Sequence, residues 1–163
     1  MAMTRLRLIL KFIFFLPGTF LHELTHYVAA LILGKAEGFS VWPKVEGNSF
    51  IFGSVKSRTR VKVLSSFIAV APILWWAVLF IILRHVLFSR PEPSVGLFAA
   101  MTKELQTFPY TDAVLLWLLV QILWAGRLSI QDIKNFFIGL LSVSGLALFA
   151  IVAGLVYLIK VAG

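Results

Sequence analysis

Long apolar runs alternate with short polar breaks along this chain, a spacing that suits the thickness of a bilayer rather than a soluble core. The runs extend from about Leu6 to Leu33, Val63 to Phe88, Thr111 to Ala125 and Phe136 to Ile159. A membrane-crossing helix needs about 20 such residues. The first, second and fourth runs reach that length, while the third is short and is expected to end inside the protein body. The pattern predicts an all-α membrane protein of about four transmembrane helices, forming a single domain over residues 1–163.

Two prolines fall inside these runs. Pro17-Gly18 predicts a bend or a break in the first helix, and Pro72 a kink in the second. In a membrane, backbone groups released at such places need protein or water partners, so they either line cavities or remain harmless kinks.

Between the first two runs, residues 35–62 follow a different rhythm. Phe39, Val41 and Val45 alternate with Ser40, Trp42 and Lys44, a period of two, and Phe50-Ile51-Phe52 follows Gly47-Asn48. Short strands around a Gly-Asn turn predict a β-hairpin, apolar enough to lie in or against the membrane. Residues 89–109, with Pro91 and Pro93, read as a surface connection.

Composition agrees: 60% of the residues are hydrophobic and 13% charged, against about a quarter charged in soluble domains. The formal charge is +8. Its basic residues lie between apolar runs, which fits anionic lipid headgroups better than nucleic acid. Arg5, Arg7 and Lys11 precede an apolar stretch as in a secretory signal, but that stretch continues to Leu33 and is expected to be retained. Four spans would put seven basic residues on one side and eight on the other, six of them in the first loop. That concentration leans towards a cytoplasmic first loop. With no cysteine, any metal must be held by imidazole and carboxylate.

His22-Glu23-Leu24-Thr25-His26 sits inside the first run. Residues four apart share a helix face, so both imidazoles can reach one metal, with Glu23 beside them as general base. Zinc suits such ligands. Charged groups in a membrane helix cost about 2.5–3.5 kcal/mol each on insertion scales, so their presence points to use. The bland alternative is a hydrogen-bonded polar cluster without metal. A third ligand is to be sought among Asp132, Asp112, Glu104, Glu37 and His85. Asp132 is best placed, although Ser129-x-x-Asp132 before an apolar run also reads as a helix cap. Asn135 could orient that carboxylate or bind a substrate carbonyl, or be a plain helix-start residue.

These features resemble the site-2 protease group of intramembrane zinc metalloproteases: His22-Glu23-x-x-His26 in a membrane helix, an apolar hairpin straight after it, and a later Asp beside another membrane segment. The resemblance implies a Zn2+ held by His22, His26 and Asp132, Glu23 as base, and a membrane protein or peptide as substrate. It implies that the hairpin, with Phe50, Ile51 and Phe52, receives an extended substrate as an added strand. The Asp stands here in Ile130-Gln131-Asp132-Ile133, away from the commoner Asn-Pro-Asp-Gly and Leu-Asp-Gly settings and closer to a divergent Ser-x-x-Asp form. Two other classes compete: an inactive relative that only binds membrane proteins, and a metal-transit protein using the same three side chains.

Overall fold

The first apolar run folds as one helix, α1 (Ala2–Leu33), in a computed structural model that describes residues 2–46, 49–51, 53–88 and 110–162. Pro17 lies inside α1 without ending it, so of the bend or break expected there the break is absent. The physical reason is a neighbour. The Gly18 N–H donates to Gln121 Oε1 (3.1 Å), and Gln121 Nε2 donates to the Phe14 carbonyl (3.0 Å). One buried amide thus bridges a rung of the helical ladder beside the proline, where lipid could not satisfy it. A Cβ at Gly18 would stand 2.7 Å from the Gln121 carbonyl, so glycine is what lets the two helices approach.

After α1 the chain forms a two-part hairpin. β1 (Lys35–Ser40) pairs antiparallel with β4 (Ser54–Arg58), and β2 (Lys44–Glu46) with β3 (Ser49–Ile51). Glu46 stands opposite Ser49, as a two-residue connection requires; Gly47 and Asn48 themselves lie outside the described residues. A bulge between Ala36 and Gly38 leaves Glu37 out of register, and its carboxylate lies 3.5 Å from Arg58.

The second run is interrupted where Pro72 predicts it. α2 (Lys62–Val70) gives way to a single 3-10 turn, Ala71–Ile73, before α3 (Leu74–Phe88). Beyond the undescribed stretch, α4 (Tyr110–Ala125) covers the third run. The fourth run departs from expectation. It divides into α5 (Ile130–Leu140) and α6 (Val143–Ala162), so Asp132 belongs to a helix that also carries Phe136 to Leu140. The Ser142 hydroxyl donates to the Gly139 carbonyl and accepts from Gly145 N–H, turning the chain where hydropathy alone runs on.

Among the described residues, four stretches are long and apolar enough to cross a membrane: Leu6–Leu33, Lys62–Arg84, Ala113–Leu140 and Val143–Val161. The third contains the α4–α5 connection, so the short third run is completed by α5. Along α6 nearly every side chain is exposed, including Phe149, Tyr157 and Ile159. A surface of that extent needs an apolar solvent.

Packing between α1 and α4 brings Phe15 and Trp124 into a stack (4.0 Å), and the Trp124 indole N–H donates to Thr19 (3.1 Å). α5 lies against α2 through small residues. The Ser66 hydroxyl donates to the Phe136 carbonyl (2.7 Å), and a Cβ at Gly139 would collide with Ser66 and with the Lys62 carbonyl. These two seams converge on the middle of α1.

Candidate metal centre

Helical spacing puts His22 and His26 on one face of α1, their ring centres 4.7 Å apart. Each ring is oriented by a backbone carbonyl of another helix. His22 Nδ1 lies 3.0 Å from the Ala125 oxygen at the end of α4, and His26 Nδ1 lies 2.8 Å from the Ile68 oxygen in α2. A carbonyl can only accept, so both Nδ1 atoms carry the proton and donate. In the neutral form of such a ring, Nε2 is the lone-pair donor.

Those two Nε2 atoms stand 3.2 Å apart, and α5 brings a carboxylate to both. Asp132 Oδ1 is 3.2 Å from His26 Nε2, and Oδ2 is 3.5 Å from His22 Nε2, with all three side chains at most 12% exposed. Three electron-pair donors converge on one point. A proton on one nitrogen would satisfy one pair of them; a single metal ion satisfies all three. Ligand bonds of about 2.0–2.1 Å at tetrahedral angles place neighbouring donors about 3.3 Å apart, and the observed spacings match. His22, His26 and Asp132 therefore form a buried group able to hold a metal ion.

Asp132 reconciles the two roles that its sequence setting leaves open. Oδ2 accepts from the Ser129 backbone N–H (2.8 Å) and hydroxyl (2.6 Å), and the Ser129 oxygen accepts in turn from Asp132 N–H (3.1 Å). This is a complete capping box. Meanwhile Oδ1 is presented to His26. The same carboxylate starts α5 and closes the donor triangle.

Glu23 is buried, 7% exposed, on the strip of α1 that also carries Phe20 and Tyr27. The hairpin covers this strip. The Phe39 ring packs edge-on against both Phe20 (5.9 Å) and Tyr27 (5.7 Å). A Cβ at Gly53 would fall 2.6–2.9 Å from the Glu23 side chain, so only glycine lets this backbone lie over the carboxylate.

Other candidates fall elsewhere. Glu37 faces Arg58 on the hairpin. Asn135 is exposed and accepts from Gln131 one turn earlier (2.9 Å), on the outer side of α5, so it is not brought to the cluster. Phe50 and Ile51 lie in β3, paired with Val45 and Lys44, and their side chains are not among those described. Phe52 and Glu104, and the side chains of His85 and Asp112, are likewise outside the described set.

Pattern reading did not anticipate the two carbonyls, since backbone atoms carry no letter, nor Gln121 and Gly53. A lone glutamine in an apolar helix was the available signal for Gln121. The chain matches no family model, no curated protein and no solved structure. Its site is accordingly read from its own residues.

Proposed function

We propose that this protein is an intramembrane zinc metallopeptidase, hydrolysing peptide bonds of membrane-spanning or membrane-adjacent substrates. The observation that carries the reading is the buried donor triangle of His22, His26 and Asp132, with Glu23 one residue along the same helix. Two imidazoles and one carboxylate, with no thiolate in the chain, suit zinc and leave a fourth position open. A zinc held there would supply Lewis acidity towards a water and towards the scissile carbonyl.

The chain's own residues do the rest. Glu23 takes a proton from the attacking water as its oxygen adds to the carbonyl carbon. It returns that proton to the departing amine as the C–N bond breaks. Ala125 and Ile68 hold the imidazoles in the tautomer that presents Nε2. Ser129 holds the carboxylate through Oδ2. The hairpin keeps bulk water off Glu23, and a substrate held in extended form along it would meet the site from that side. The six basic residues of the first loop support a cytoplasmic placement of the hairpin.

A metal-transit role would want further ligand sets along a path. Among the described residues, His22, His26 and Asp132 are the one such group.

The test is zinc content of the detergent-purified protein, together with cleavage of fluorescein-labelled casein. Wild type should hold about one zinc, and His26→Ala and Asp132→Ala should lose it. Glu23→Gln should keep the zinc and lose cleavage by about 100-fold or more. Metal-free wild type, or unimpaired cleavage by Glu23→Gln, overturns the proposal.

A further inference from the structure

Both imidazoles are steered by carbonyls that a helix interruption has released. Inside an α-helix each carbonyl accepts from the N–H four residues on. Ala125 ends α4, so its oxygen has no such donor, and His22 Nδ1 takes the place. Ile68 sits within α2, where a donor would normally stand at position 72. That position is proline, which has no N–H. The Ile68 oxygen instead accepts from Ala71 N–H in a tighter turn and from His26 Nδ1 at 2.8 Å.

We infer that Pro72 is a positioning residue for the metal centre: by withholding one backbone N–H, it leaves the Ile68 carbonyl, which accepts from Ala71, a second lone pair to fix the His26 ring. The inference rests on the metal reading above and extends it to a residue that touches neither metal nor substrate. Three observations converge. Pro72 is among the most completely buried side chains of the molecule, so its ring is packed in place. Its effect on the backbone is local, confined to the single 3-10 turn Ala71–Ile73 between two regular helices. The carbonyl four residues before it is the one that His26 contacts. A regular helix through position 72 would add an N–H at that position to compete with the imidazole for the Ile68 oxygen.

A proline that served only to shape the bundle would behave differently on replacement. Pro72→Ala restores the N–H and the better helix former, a gain expected to offset the packing lost with the buried ring, so a regular helix through this point should be no less stable. The expected signature is therefore split. Zinc affinity, measured by chelator competition, falls about 10-fold or more in Pro72→Ala. The visible spectrum of the cobalt(II)-substituted protein changes, because the His26 ring is no longer held at one angle. The unfolding midpoint of the metal-free protein does not fall. Pro72→Gly, which restores the N–H without favouring the helix, should lower zinc affinity as well.

Wild-type affinity and an unchanged cobalt spectrum in Pro72→Ala would overturn the inference and leave the metal reading standing. A wild type that binds neither zinc nor cobalt would remove both. A fall in affinity matched by an equal fall in metal-free stability would mark Pro72 as a packing residue and also overturn it.

Discussion

The two halves of the site are built on different principles. His22, His26 and Asp132 are held from three helices by short polar contacts: Ala125 and Ile68 carbonyls on the rings and two Ser129 donors on the carboxylate. Glu23 has a hairpin over it, seated by one aromatic side chain and one glycine. The ligand half is specified by hydrogen bonds with direction. The Glu23 half is specified by close packing, which excludes volume but fixes no angle. Geometry that would have to suit a metal is thus placed on helices, and Glu23 lies under the hairpin.

Substitutions can separate the halves. The largest effect is expected at Gly53. A methyl there collides with the Glu23 side chain, and displacement of a general base by about 1 Å costs on the order of 100-fold in rate. Gly53→Ala should lose that much casein cleavage while zinc content stays at the wild-type value. Gly38→Ala is the matched control on the same hairpin, since its Cβ would meet only Lys56 at an ordinary 3.8 Å. Equal losses in both variants would mean that the hairpin acts as a whole and not through Gly53.

Ser129→Ala probes the other half. It removes the 2.6 Å hydroxyl contact on Asp132 Oδ2 together with the helix cap, and zinc affinity should fall about 10-fold. Ser129→Thr, which keeps both bonds, should restore it. Intact affinity in Ser129→Ala would show that the donor triangle positions itself without its supports. The smallest effect is expected from Gln121→Leu, which removes the amide bridging Phe14 and Gly18. A buried polar contact between membrane helices is worth about 1 kcal/mol, so the unfolding midpoint in detergent should drop slightly with zinc affinity unchanged. A loss of zinc in this variant would tie the α1–α4 seam to the ligand half.

The helices were legible because a bilayer demands runs of apolar residues, and Leu6–Leu33 announces itself. The hairpin was legible from its period-two pattern and the Gly47-Asn48 pair. The division of Phe136–Ile159 was not, since hydropathy is blind to a turn made by Gly139, Ser142 and Gly145 within an apolar stretch. Pro17 left a bend and a break both open for a related reason. A proline frees backbone groups, but sequence does not say that a glutamine over 100 residues away will occupy the neighbouring rung. At the site, the His22-Glu23-x-x-His26 spacing gave two of the three donors directly. Asp132 was ambiguous between ligand and cap because both uses need the same letter at the same place. Only the structure shows one carboxylate capping α5 through Oδ2 while both its oxygens face the imidazoles.

The order of synthesis gives the separation of the donors a consequence of its own. His22 and His26 leave the ribosome together, on one helix, ahead of Asp132. Asp132 follows only after more than 100 further residues have been translated. Until α5 docks against α2, the nascent chain carries the two imidazoles without the Asp132 carboxylate. A metal site that needs all three is therefore complete only once the later helices have joined the first.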